Sequence, residues 1–157
     1  MTLSASILDD YLGKHIKEIC KNGFDKDSDN HCSHFVGHVL GIQIGLTCFG
    51  MTGKGDKHDR SSIRVQEVFA RCPQVGKWDD KPATVSQCLA FVTAKSHVNL
   101  EKKIMENVPK KHIGIFIGGQ IYHYSNRNHK VVQQSPLQFK KHYAGNNIEV
   151  FFGTFPA

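Results

Sequence analysis

The sequence predicts an α+β domain in which N-terminal helices pack on an antiparallel β-sheet. Three observations carry this. Apolar residues recur at helical spacing as far as Arg71. From Leu89 onward, β-branched and aromatic residues gather in short runs separated by Gly, Asn or Pro. Between two of these runs stands Gly118-Gly119, the composition of a two-residue hairpin turn.

Residues 4–22 read as a helix. Ile7, Leu8, Tyr11, Leu12, His15, Ile16, Ile19 and Cys20 form one stripe, and Asn22-Gly23 stops it. Residues 24–31 are an acidic, polar loop. Residues 29–42 read Asp-Asn-His-Cys-Ser-His-Phe-Val-Gly-His-Val-Leu-Gly-Ile. There a cysteine opens an apolar run in which Phe35, Val36, Val39 and Leu40 recur at helical spacing. Asp29 or Asn30 can cap the first turn, and the helix ends near Gly41. Residues 43–60 are rich in Gly and charge and are expected to form a loop that walls a cleft. Ser61 to Arg71 predicts a third helix with Ile63, Val65, Val68 and Phe69 on its apolar side. Residues 73–82 are turn-rich and hold the single tryptophan, Trp78. Leu89 to Thr93 is a strand, and 100–107 a short charged helix or an insertion. Residues 112–117, 120–124, 130–133 and 148–152 then complete an antiparallel meander. No repeat interrupts the chain, so residues 1–157 are read as a single domain.

The 157 residues are 39% hydrophobic and 22% charged, enough for one real core. No run of eighteen apolar residues occurs, so no membrane span is expected. The N-terminus lacks the basic region and apolar core of a signal peptide, so none is expected there. Formal charge is +6, with pI about 9.1. The basic pairs Lys102-Lys103, Lys110-Lys111 and Lys140-Lys141 are scattered, as on solvated faces, and no nucleic-acid-binding motif is present. Such charge also suits an anionic polymer such as a bacterial cell wall. Five cysteines, Cys20, Cys32, Cys48, Cys72 and Cys88, include no C-x-x-C pair. With Cys32 set aside, two disulfides and four free thiols are both compatible with the count.

Cys32 is the residue around which chemistry would be organised. At a helix N-terminus, free backbone N–H groups and the positive end of the dipole both favour a thiolate. The bland reading is a buried structural cysteine. A cysteine nucleophile needs a base and a group that orients the base. His112 opens a strand, and His123 lies on the next strand across the Gly118-Gly119 turn. If the Cys32 helix packs on their face, Cys32, His112 and His123 converge. His34 and His38 stand at i and i+4 on one helix, a spacing that can hold zinc. No HExxH glutamate follows His34 and no remote cysteine pair completes a site, so no metal and no cofactor is expected.

The motif His-Cys-Ser-His-Phe-Val at 31–36 resembles the Asp-Cys-Ser-Gly-Phe/Leu-Val motif of NlpC-type papain-like cysteine peptidases. His-Ile-Gly-Ile-Phe-Ile-Gly-Gly-Gln-Ile-Tyr-His at 112–123 resembles that family's second motif, a histidine-bearing hairpin. The resemblance implies a papain-like fold with Cys32 as nucleophile, His112 as base and His123 as its orienter. The order Cys, His, His separates it from the permuted lecithin retinol acyltransferase-like branch. The sequence departs from the motif at His31, where the family has Asp, and at His34, where it has Gly. The family's upstream tyrosine has no counterpart in 23–31. Residues 20–32 also resemble the N-terminal region of type VI secretion amidase effectors. That likeness implies a peptidoglycan amidase or endopeptidase cutting cell-wall stem peptides. It further implies secretion into the periplasm or wall of a target bacterium, and a cognate immunity protein covering the Cys32/His112 cleft. The rival readings are a non-enzymatic basic binding module for cell wall or nucleic acid, and a cysteine hydrolase of the same fold with another acyl substrate.

Overall fold

A computed structural model describes residues 3–156. The fold is α+β, with a six-stranded antiparallel sheet between two unequal layers. In chain order the regular elements are α1 (Ala5–Asp9), α2 (Cys32–Leu40), α3 (Cys48–Thr52), α4 (Val65–Arg71), β1 (Val75–Lys77), β2 (Cys88–Ala94), β3 (Val98–Asn99), β4 (Ile104–Met105), β5 (Lys111–Ile117), β6 (Gln120–Ser125), β7 (Lys130–Gln134), α5 (Pro136–Lys140) and β8 (Ile148–Gly153). The sheet order is β1-β8-β2-β5-β6-β7. Thus β5, β6 and β7 form a meander, and β8 returns to lie between β1 and β2. Among the described residues no helix is long and apolar enough to cross a membrane.

Strand alternation divides the core. Leu89, Phe91, Ile113, Ile115, Ile117, Tyr122 and Tyr124 face the larger layer, where Phe35, Val36, Val68 and Phe69 of α2 and α4 are buried. Ala90, Val92, Ile121 and Val150 face the smaller layer, closed by Phe139 of α5. The β5–β6 hairpin turns on Gly118-Gly119, both at positive φ (61° and 79°), as the tight turn requires.

Several elements differ from the sequence expectation. The helix predicted for 4–22 stops at α1. Gly13 takes a positive φ, and residues 13 and 14 instead bond the edge of β7: Gly13 N–H donates to Val131 O and Val131 N–H to Lys14 O. The buried apolar positions Leu8 and Ile16 are nonetheless on the expected stripe. The helix predicted from Ser61 starts at Val65, because Ser61 and Ser62 are buried and spend their hydroxyls on carbonyls of His34 and Ile44. Residues 98–105 form the β3–β4 hairpin, where the sequence offers a charged helix or an insertion over 100–107. The edge strand β1 lies within the segment read as turn, and α5 was not predicted.

Candidate active site

Cys32 is the first residue of α2. The cap position itself is His31, which makes no side-chain cap bond, but Asn30 Oδ1 just before it accepts the Cys32 N–H at 3.0 Å. The same oxygen accepts Asn126 Nδ2 at 3.0 Å, and Asn126 Oδ1 accepts the His31 N–H at 2.9 Å. The two asparagines therefore clamp the start of α2 to the turn after β6. The Cys32 N–H is engaged by Asn30 and so is not an open oxyanion donor. The thiol is 1% exposed. Burial pushes it up to about 11, opposed chiefly by the backbone N–H of Ile113.

His112 and His123 are brought together as their spacing predicts: His112 Nε2 and His123 Nδ1 are 2.8 Å apart. His123 Nε2 lies 2.7 Å from Gln134 Oε1 on β7. The direction of these bonds follows from the amide. Its oxygen can only accept, so His123 Nε2 carries the proton and His123 Nδ1 is a lone pair. His112 Nε2–H then donates to that lone pair, and His112 Nδ1 is left unprotonated. His112 Nδ1 is buried and has no hydrogen-bond partner among the described residues. His142 stacks on His112 at 4.1 Å between ring centroids, and Phe139 packs edge-on against His123. Burial, with His123 and His142 adding like charge, holds His112 well below the usual imidazole range. Burial first, against the bond to Gln134, brings His123 down to about 4.

Cys32 is not hydrogen-bonded to either ring. Its helix covers the face of Ile113, whereas the imidazoles pack with Phe139 and His142 on the α5 face. The expected convergence on one face is therefore replaced by an approach from the two sides of β5. The pleat explains this, because successive side chains of a strand point to opposite faces. β5 is paired with β2 along its length but with β6 only over residues 115–117. The edge of β5 below Ile115, which carries His112 and Ile113, is thus left without a ladder to β6. Gln134, His142 and Asn126 escape sequence reading. Gln134 is a polar residue closing a β run, and its one signal is its place two residues beyond Val132, the partner of His123.

A second cluster lies on the opposite side of α2. Cys20, His34, His38 and Cys48 each offer one ligand atom, all within 4.8 Å of one another. The two cysteines that join the His34/His38 pair come singly, one from before the helix and one from after it, not as the remote pair that zinc spacing would have shown in the sequence. All five cysteines are free thiols, so no disulfide binds the fold. No family model, no curated protein and no solved structure matches the chain.

Proposed function

We propose that this chain is a cysteine hydrolase of the NlpC-type papain-like kind that cuts amide bonds in peptidoglycan stem peptides. The single observation that supports it best is the relay Gln134–His123–His112. It leaves one ring nitrogen, His112 Nδ1, buried and without a hydrogen-bond partner among the described residues, on the strand against which the Cys32 helix packs. A buried imidazole held in one tautomer by a second group is what a thiol nucleophile requires of its base.

In this reading the Cys32 S–H gives its proton to His112 Nδ1, and the sulfur attacks the amide carbonyl. The imidazolium, with its Nε2–H held by His123, returns the proton to the leaving amine. Water, deprotonated by the same Nδ1, hydrolyses the thioester and frees the carboxylate and the thiol. His142 and Phe139 cover the rings, so substrate has to displace the segment after α5 to reach them. The charge of +6 suits the anionic wall. An inhibitor protein that covers the Cys32/His112 edge is the partner this activity calls for. The protein would act outside the inner membrane, as a type VI effector does.

The test is digestion of purified cell wall, with fragments identified by mass. Wild type should release defined stem-peptide fragments, and a folded Cys32→Ala protein should release none. The burial of Cys32 favours one rival, a binding module in which this thiol is core. Thiol labelling at neutral pH separates the two, because a working nucleophile labels quickly and a core cysteine does not.

A further inference from the structure

Of the two positions at which the cysteine motif departs from the NlpC-type pattern it resembles, His34 belongs to the second cluster and His31 hydrogen-bonds to it. His34 and His38 project from successive turns of α2. Cys20 follows the short helical turn Ile16–Glu18, and Cys48 opens α3. Three stretches that share no regular hydrogen-bonded element thus deliver two thiols and two imidazoles to one buried point.

The ligand atoms can be named from the surrounding hydrogen bonds. Lys26 O accepts from His31 Nε2 at 2.7 Å, and a carbonyl can only accept. His31 Nδ1 is therefore a lone pair, which receives the His34 Nδ1–H at 2.9 Å. The bare nitrogen of His34 is Nε2, which is buried and has no hydrogen-bond partner among the described residues. His38 repeats the pattern with a carboxylate. Its Nδ1–H donates to Asp59 Oδ1 at 3.2 Å, and its bare Nε2 lies 3.7 Å from Cys48 Sγ. The sulfurs are supplied with donors. Asn22 Nδ2 and the Ser61 N–H donate to Cys48 Sγ at 3.3 and 3.2 Å, and the Asn22 N–H to Cys20 Sγ at 3.4 Å.

We propose that Cys20, His34, His38 and Cys48 bind one zinc ion in a closed tetrahedral site that ties the N-terminal segment, α2 and α3 together. Two thiolates and two imidazoles are a standard structural zinc set, with Zn–S about 2.3 Å and Zn–N about 2.0 Å. Those bond lengths put tetrahedral ligand atoms about 3.3–3.8 Å apart, and the His38–Cys48 separation is already 3.7 Å. The second shell is complete before the ion arrives: each imidazole donates its other N–H, and N–H groups point at each sulfur. Four protein ligands leave no open position, so this zinc does not activate water. Its role is to hold α2, and with it the start of the helix at Cys32, in place. This inference stands whether or not Cys32 is a nucleophile.

The experiment uses untagged wild-type protein purified without chelator. Elemental analysis should find about one zinc per chain. Replacement by cobalt should give the intense visible bands of a tetrahedral site together with thiolate-to-metal charge transfer. Cys20→Ser and Cys48→Ser should each weaken that charge transfer or lose the ion, whereas Cys72→Ser should keep both. A strong chelator should lower the melting temperature of wild type. Wild-type protein that carries no zinc and takes up no tetrahedral cobalt would overturn the proposal, as would a Cys20–Cys48 disulfide found by mass spectrometry. These readings come from wild type, so a serine variant that fails to fold does not blunt the test.

Discussion

Gln134→Leu is a small change with a large expected consequence, because one amide oxygen sets two tautomers. In the structure Gln134 Oε1 accepts the His123 Nε2–H at 2.7 Å, and His123 Nδ1 is the acceptor for His112 at 2.8 Å. Leucine leaves a buried N–H without a partner, which costs about 1–3 kcal/mol. The ring avoids this by moving its proton to Nδ1, but Nδ1 then faces the His112 Nε2–H. His112 must flip in turn, and its proton ends on Nδ1, the atom needed as base. If the hydrolase reading is correct, general-base help worth about 10²–10⁴-fold is lost, chiefly in kcat. Gln134→Glu keeps an acceptor of the same length and should retain most turnover while raising the His123 pKa. Cell-wall digestion gives the rates, and nitrogen-detected NMR of the histidine rings gives the tautomers without relying on activity. Leucine turnover within twofold of wild type, with the ring protons unmoved, would refute the relay.

Gly114→Ala should destabilise the fold. A Cβ there would sit 2.6 Å from Ile121 Cγ2 and 2.9 Å from the Tyr122 carbonyl oxygen, which is backbone and cannot yield. Overpacking of this kind costs about 1–3 kcal/mol, or roughly 2–12 °C in melting temperature for a chain of this size; an unchanged melting curve would contradict the close approach of β5 and β6. Stability should fall with pH between about 6.5 and about 4. His123, faced by His112 and His142, stays neutral in the fold while the unfolded chain gains a proton, so its contribution is whole above the unfolded value and drains by up to about 1.4 kcal/mol per pH unit. Denaturant titrations should show a shallower slope in His123→Gln, and equal slopes would mean the ring is not held neutral. Expression with a periplasmic export leader should kill a bacterial host, and Cys32→Ala should remove that toxicity. Equal plating of the two exported proteins would reject the cell-wall reading while leaving the chemistry of Cys32 open.

What the sequence by itself determined is local. β-branched and aromatic runs placed β2 and β5 to β8, because strand preference is written in neighbouring residues. The helix from Cys32 to Gly41 follows from apolar spacing with an asparagine before it and a glycine after. His112 and His123 could be paired in advance because eleven positions across a two-glycine turn leave little freedom. Even α5 left a trace, the Ser135–Pro136–Gln138 capping pattern, although five residues are too few to show a period. Tertiary structure decided what depends on contacts between distant segments. Gly13 and Lys14 gave up helix for the edge of β7, a partner more than a hundred positions away. The packing of α2 on the Ile113 face of β5, and of α5 on the His112 face, set Cys32 and the imidazoles on opposite sides of the strand, a layering that the sequence does not show. The metal ligands are the plainest case. Cys20 and Cys48 stand alone in sequence, with no cysteine nearby to mark a site. Only the packing of the N-terminal segment and α3 against α2 carries them to His34 and His38, and turns four ordinary residues into a coordination sphere.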